Sequence, residues 1–138
     1  MNLSSLITDN VTELLVKIIE FTQTRQKVLT QNVNNIYNLG FVPKDLLVDE
    51  FSGLMNDAID EHIRSYRLVL RDTENIKFGV SGSFEAKPVE DKYAKELLEE
   101  DRDEYIELQI NKLLENSLNQ RIAAELLRQR QGIVSVDY

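Results

Sequence analysis

The sequence predicts a mainly α-helical, elongated fold, a single domain over residues 1–138 with long amphipathic N- and C-terminal helices that pair antiparallel. Gly (5) and Pro (2) are scarce, so few positions can break regular structure. Apolar residues recur at spacings of three and four along most of the chain, as in helices with one apolar stripe. The last helical pattern alone would extend about 60 Å, whereas a globule of this length has a radius of gyration of about 14 Å.

The first element is a predicted N-terminal helix over residues 11–38. Gly40 suits the left-handed position after its last turn, and Pro43 prevents the helix from continuing. The helix would be roughly 40 Å long. Its apolar stripe consists of Val11, Leu14, Leu15, Ile18, Phe21, Val28, Leu29, Val33 and Ile36.

A middle helix is predicted over residues 45–70, capped by Asp45, with Ser52-Gly53 as a point where it could split. Residues 75–88 then alternate apolar and polar. This pattern predicts short strands or a loop around Ser81-Gly82, with a short β-hairpin near 75–86 as the stranded form.

The C-terminal helix is predicted over residues 90–131, a stretch that contains no Gly or Pro and is rich in good helix formers. Its regularly spaced apolar residues are Tyr93, Leu97, Leu98, Tyr105, Ile106, Ile110, Leu113, Leu114, Leu118, Ile122, Leu126 and Leu127. Such a stripe can pack along the stripe of the N-terminal helix or along a neighbouring molecule.

Composition argues against several classes of function. The net charge of −8 disfavours nucleic acid and anionic membrane surfaces, both of which attract clustered Lys and Arg. The absence of Cys excludes disulfides, thiol nucleophiles and zinc-thiolate sites. No apolar run approaches the ~18 residues of a membrane span, and the N-terminus lacks the pattern of a cleaved secretory signal.

The acidic run from Glu90 to Glu107 is the strongest candidate for chemistry. It holds nine carboxylates against three cations, and Glu96, Glu100 and Glu104 would share one helix face. Nothing elsewhere pairs with them to build a metal or acid–base site, so a solvated helix face is the favoured interpretation. With His62 as the single histidine, no nucleophile–base–orienter set exists either. We therefore expect no catalytic residues, metal site or cofactor, and no enzyme.

Asparagines at positions 32, 34, 35 and 38 are unusual near a helix end, because Asn is a poor helix former. Their amides could satisfy backbone carbonyls in a fraying last turn. Alternatively, they could lie between packed helices and fix the register, as buried Asn does in coiled coils. The sequence leaves both interpretations open.

The stretch from Arg25 to Phe41 resembles the N-terminal signature of bacterial flagellar basal-body rod proteins, most of all the proximal rod type. That signature is an Arg-Gln turn, then Val-Leu-Ala-x-Asn-Ile-x-Asn, then a Thr-Pro-Gly-Tyr corner. Residues that match it without gaps are Arg25, Gln26, Val28, Leu29, Asn32, Asn35 and Gly40, and Phe41 stands for Tyr. Asn38-Leu39 replaces Thr-Pro, so the corner would depend on Gly40.

The resemblance implies a structural subunit that is exported through the flagellar type III export apparatus and located in the periplasmic rod. Before export it would be cytoplasmic. It would assemble by coiled-coil-like packing of its terminal helices with itself and with other rod and basal-body proteins. The residues expected at these interfaces are Arg25, Gln26, Val28, Leu29, Asn32, Val33, Asn35, Ile36, Gly40, Phe41, Leu113, Leu114, Leu118, Ile122 and Leu126. The alternative is a cytoplasmic helical adaptor or regulator that binds a partner helix.

Overall fold

The computed structural model describes the backbone of residues 3–79 and 83–136, and the side chains of residues 10–79 and 83–132. The predicted mainly α-helical fold is confirmed. The elements in chain order are α1 (Leu3–Asn34), β1 (Lys44–Asp45), α2 (Val48–Ser65), β2 (Ile76–Lys77), β3 (Glu85–Ala86), β4 (Val89–Glu90), α3 (Lys92–Glu100) and α4 (Arg102–Val136).

Helices α1 and α4 form the long axis of the molecule and run antiparallel, as predicted. The amide of Asn32, near the end of α1, bonds to Gln109 near the start of α4. Farther along, Asn116 bonds to the carbonyl of Thr22. The 35 residues of α4 extend over about 52 Å, so the molecule is elongated.

Helix α2 packs beside α4 on the part of α1 between Asn10 and Phe21 and also runs antiparallel to α1. The rings of Phe21 and Phe51 stack with centroids 4.0 Å apart, and Asn10 donates to the carbonyl of Tyr66 at 3.0 Å. The core between them includes buried side chains from both helices and from the strand region, namely Leu14, Phe21, Val28, Leu46, Phe51, Met55, Ala58, Ile76 and Phe78.

Two short antiparallel ladders complete the fold. Strand β2 pairs with β3, with Ile76 opposite Ala86, which confirms the predicted hairpin; its predicted Ser81-Gly82 turn lies outside the described residues. Strand β1 pairs with β4, with Lys44 opposite Glu90. This second ladder was not predicted, because strands of two residues carry no readable alternation.

The boundaries of α1 and α2 differ from the predicted ones. Helix α1 begins at Leu3 rather than at residue 11 and ends at Asn34. Helix α2 covers Val48–Ser65 instead of 45–70, and it continues through Ser52-Gly53. It starts late because Asp45 belongs to β1 and binds Arg25 rather than capping the helix. It ends where Tyr66 adopts a left-handed conformation with φ of 60°.

The predicted single C-terminal helix is wrong in one respect, because it is broken at Asp101. This residue is extended, with φ of −149° and ψ of 93°. Its carboxylate accepts a hydrogen bond from the backbone N–H of Glu104 at 3.1 Å, so that it caps α4. The side chain of Asp91 caps α3 in the same way, through the N–H of Ala94 at 3.0 Å.

Candidate assembly surface

A set of polar side chains links α1 to β1, to the start of α3 and to α4. We call it the polar seam; it consists of Arg25, Asn32, Asp45, Asp91, Tyr105, Gln109, Lys112 and Asn116. Its members come from α1, β1, the residue that caps α3, and α4, and they decide which face of α4 turns toward α1.

One half of the polar seam is a chain of charges. Arg25 binds Asp45 through two hydrogen bonds, Nε to Oδ1 at 2.9 Å and Nη2 to Oδ2 at 3.1 Å. Lys112 of α4 then bridges Asp45 at 2.9 Å and Asp91 at 2.7 Å. Arg25 is buried, with 6% of its side chain exposed, and 13% of the Asp45 side chain is exposed. Cations and carboxylates therefore alternate through a largely water-excluded contact.

The pKa values of these groups shift in directions that favour their charged forms. Burial opposes ionisation of Asp45, but hydrogen bonds and charge from Arg25 and Lys112 outweigh it and hold the pKa of the carboxyl below its usual range. Burial likewise opposes the charged form of Lys112, and Asp91 and Asp45 outweigh it and raise the pKa of the ammonium group. Each ion is therefore stabilised by its partners in the fold.

The other half of the polar seam is built around Asn32, which is 1% exposed. Its Nδ2 donates to the carbonyl of Lys44 at 2.7 Å and to Oε1 of Gln109 at 2.9 Å, and its Oδ1 accepts from the N–H of Lys44 at 3.1 Å. The Tyr105 hydroxyl donates to the backbone carbonyl of Asn32 at 2.8 Å. Burial of Tyr105 raises the pKa of its hydroxyl to about 12. One amide thus joins α1, β1 and α4.

The two interpretations of the asparagine-rich segment apply to different residues. Asn32 lies between packed helices and fixes their register. Asn35 and Asn38 instead make local bonds, from Asn35 Nδ2 to the carbonyl of Gln31 at 2.8 Å and from Asn38 Nδ2 to Oδ1 of Asn35 at 3.2 Å. The corner that follows is closed by a bond from Phe41 N–H to the Asn38 carbonyl at 3.1 Å.

With Tyr105, Gln109, Asn116 and Ala123 buried against α1, the opposite side of α4 faces solvent. This side carries five large apolar side chains spaced four residues apart. We call them the α4 ridge: Ile110 (45% exposed), Leu114 (64%), Leu118 (58%), Ile122 (50%) and Leu126 (45%). A contiguous apolar strip of this kind is typical of a surface that another protein covers.

The α4 ridge winds around the helix, because a four-residue step advances 40° beyond one full turn at 3.6 residues per turn. Its first members, Ile110 and Leu114, point away from α1. Its last members, Ile122 and Leu126, line a groove that lies between α2 and α4 with α1 below. The groove has a volume of about 350 Å³, and its apolar lining includes Leu15, Ile18, Phe21, Val48, Phe51, Met55, Ile59 and Ala123.

The predicted interface residues between positions 25 and 41 are mostly buried or partly buried within this chain, whereas those on α4 are mostly exposed. Four of those on α1 are buried within this chain, namely Arg25, Val28, Leu29 and Asn32. Gln26 and Gly40 are exposed, and Val33, Asn35, Ile36 and Phe41 are partly buried. On α4, Leu113 is partly buried, and the structure brings Leu114, Leu118, Ile122 and Leu126 together on the α4 ridge.

Several residues of the polar seam are not among those that the sequence predicts for the site. The sequence predicts Asp45 as a helix cap, and the pairing of Asp91 with Lys112 depends on the tertiary fold. A usable signal did exist on α4, because Tyr105, Gln109, Lys112 and Asn116 recur at spacings of three and four, like a polar stripe on one helix face. Asp91 also had the residue type and position of a helix cap.

Two further findings concern metal binding and membrane spanning. Among the residues that it describes, no three His, Cys, Asp or Glu side chains are grouped so that they could hold a metal ion. Within the same part of the chain, no helix has the length and apolar character needed to cross a membrane.

Comparisons with family models, with curated proteins and with solved structures gave no match.

Proposed function

We propose that this chain is a structural subunit of the bacterial flagellar basal-body rod, which packs through the α4 ridge against other copies or other rod proteins. The observation that carries the proposal is the exposure of five large apolar side chains in one line on a helix whose other face is already buried. Covering such side chains is favourable by about 25 cal/mol per Å² of apolar surface. A subunit of a helical assembly would use this surface as one side of a contact with a neighbour.

Two of the residues that carry the resemblance to rod proteins have a role within the subunit, whereas the α4 ridge has a role between subunits. Arg25 and Asn32 hold the corner segment and α4 against α1, through Asp45, Lys44 and Gln109. In the proposed role they act inside the subunit, by keeping α4 in the orientation that presents its ridge. The α4 ridge then makes the contact between subunits.

As part of the same proposal, the chain leaves the cytoplasm through the flagellar type III export apparatus and is located in the periplasmic rod. Its partners are other copies of itself and other basal-body proteins. Loss of the protein should abolish motility, and a tagged copy should copurify with basal bodies.

The test is a double substitution, Leu114→Glu with Leu118→Glu, introduced into a tagged copy in cells that lack the original one. Both side chains are more than half exposed, so the variant should fold and accumulate normally. We expect it to be absent from basal bodies and the cells to be non-motile. The matched control is Leu39→Glu, the same change at a side chain that is 97% exposed at the corner, which should assemble.

Two results would contradict the proposal. One is a wild-type tagged copy that is missing from basal bodies, or whose loss leaves motility intact. The other is normal assembly of the double variant at normal protein levels. Deleting α1 is a poor test, since α1 supplies Leu14, Phe21 and Val28 to the core and its loss would unfold the chain.

The groove between α2 and α4 favours a second candidate function, that of a cytoplasmic adaptor or regulator that binds a partner helix. An amphipathic helix laid in an apolar groove is a common mode of recognition. This function would depend on Met55 and Ile59, which line the groove, and would be insensitive to Ile110 and Leu114, which do not. A stable complex with one cytoplasmic protein, lost in Ile59→Glu and kept in Leu114→Glu, would favour it over the rod proposal.

A further inference from the structure

We infer that the α4 ridge is self-complementary, and that two copies of this chain pack α4 against α4 in antiparallel orientation. The occupant of the ridge is thus a second copy of the chain, with Leu118 at the centre of the contact. This goes beyond the proposed function and does not depend on it, because the contact is a property of the isolated protein.

The geometry of the ridge supports direct helix-to-helix packing. Side chains four residues apart form a row, and two such rows fit into each other's grooves when the helices cross at about −50°, with axes 8–10 Å apart. Leu118 is the middle of the five ridge residues, with Ile110 and Leu126 equally far on either side. A crossing at Leu118 therefore uses the same surface on both copies, as a two-fold contact requires.

The charge along α4 selects the antiparallel orientation. The first turns of the helix carry three carboxylates (Asp103, Glu104, Glu107) and one cation (Arg102). The turns from residue 120 to 132 carry three cations (Arg121, Arg128, Arg130) and one carboxylate (Glu125). Antiparallel packing brings the acidic half of each helix toward the basic half of the other, whereas parallel packing brings like charges together.

Two further effects also favour the antiparallel orientation. The helix dipoles attract when the helices are antiparallel and repel when they are parallel. Arg121 is exposed, and within the described part of the chain it forms no ion pair, so its charge remains available to a neighbouring molecule. Because each copy carries a net charge of −8, association by an unmatched surface would be repelled.

The size of the contact predicts a weak dimer. The ridge spans 16 residues, or about 24 Å along the helix axis. Two helices that cross at about −50° touch over only part of this length, so the contact falls below the roughly 1,200 Å² of total buried surface at which stable pairs begin. The dimer should therefore form and dissociate rapidly, so that it is best trapped by a covalent cross-link.

The experiment uses the absence of cysteine in this chain, which makes any introduced thiol unique. Asn111 and Glu125 are exposed and lie seven residues on either side of Leu118. Full-length Asn111→Cys and Glu125→Cys proteins are mixed and treated with a short bis-maleimide. Antiparallel packing predicts 111–125 cross-links in roughly fivefold excess over 111–111 and 125–125 products, about the ratio that a helix-dipole-sized preference gives.

Controls make each outcome decisive. Adding Leu114→Glu and Leu118→Glu to both proteins should remove the 111–125 product, whereas adding Leu39→Glu should leave it unchanged. Excess 111–111 and 125–125 products would contradict the antiparallel orientation. Cross-link yields that do not change with the ridge substitutions would show that the α4 ridge is not the contact surface. Sedimentation equilibrium gives an independent readout: the unmodified chain should gain mass with concentration, and a strict monomer at about 1 mM would overturn the inference.

The two proposals fail separately. A chain that dimerises through the α4 ridge in solution but is absent from basal bodies retains this inference and loses the proposed function. A chain that assembles into basal bodies through the ridge but yields no 111–125 cross-link does the reverse.

Discussion

Arg25 and Asp45, twenty residues apart in the chain, form a two-pronged ion pair with contacts of 2.9 and 3.1 Å between α1 and β1. The backbone N–H of Leu46 also donates to this carboxylate, at 2.7 Å, and Lys112 reaches it from α4. A single carboxylate thus holds the segment after the corner against both long helices. The orientation of the α4 ridge depends on this contact.

The first prediction concerns Asp45→Asn. Removing the carboxylate charge leaves the buried Arg25 with Glu115, at 3.8 Å and largely exposed, as its remaining carboxylate partner. Because an uncompensated buried charge is costly, we expect the free energy of unfolding to fall by about 3 kcal/mol. Urea unfolding followed by circular dichroism measures this change. Asp49→Asn, at an exposed position of α2, is the control and should change stability by less than about 0.5 kcal/mol.

The second prediction is the pH dependence of the same contact. The folded state holds the pKa of Asp45 below its ordinary value, so the stabilisation is fully present above about pH 4 and is lost as the pH falls further. Acid should therefore weaken the wild type more steeply than Asp45→Asn, measured as the free energy of unfolding between neutral and acidic pH. Equal acid slopes for the two proteins would contradict this assignment.

The third prediction concerns Asn32→Ala. This change removes three side-chain hydrogen bonds and leaves polar groups of Lys44 and Gln109 without partners in a buried contact. We expect a loss of about 3 kcal/mol in the free energy of unfolding. Asn34→Ala, two residues away on an exposed position of the same helix, is the matched control. A similar loss in both variants would contradict the role of the polar seam, since helix propensity favours Ala over Asn at both positions.

The fourth prediction concerns Tyr105. Its pKa is raised to about 12, so its contribution to stability is complete below its unfolded pKa of about 10 and is lost as the pH rises from there toward 12. In a titration by phenolate absorbance, the step near pH 12 should disappear in Tyr105→Phe. The same variant loses the bond to the Asn32 carbonyl, which we expect to cost about 1 kcal/mol at neutral pH.

The fifth prediction compares two glycines. Gly40 has a φ of +83° at the corner, a conformation that costs an L side chain about 1 kcal/mol, so Gly40→Ala should destabilise by about that amount although no atom lies within 4 Å of the added carbon. Gly53 lies inside α2 and also has open space around it. Gly53→Ala should instead stabilise the chain by about 0.5–1 kcal/mol, because Ala is the better helix former. Opposite shifts in melting temperature test both.

The sequence was sufficient wherever a local pattern decides the structure. The spacing of Leu14, Phe21 and Val28 predicted a helix face, and these residues are buried in the core. The alternation around Ile76 and Phe78 predicted a hairpin, which is present. On α4, the spacing of Leu114, Leu118, Ile122 and Leu126 predicted one helix stripe, and these residues lie on one exposed ridge. In each case, side chains a few residues apart share a face because the backbone repeats.

The sequence was insufficient where one residue had two possible roles. Asp45 could cap a helix or bind a cation, and Asp101 could continue a helix or interrupt it. The first choice depends on Arg25 and Lys112, which are brought near only by the fold. The second depends on a capping bond that competes with a continuous helical turn. Local preference differs too little between the alternatives to decide.

The sequence by itself determined that the protein is long and helical. It also determined that its helices carry more apolar surface than one short chain can bury. Only the tertiary structure decided how these stripes are divided. The polar seam turns the Tyr105, Gln109 and Asn116 face of α4 toward α1, because buried polar groups must find partners, and these are on α1 and β1. The α4 ridge therefore faces outward. The spacing of residues along the chain does not determine this orientation.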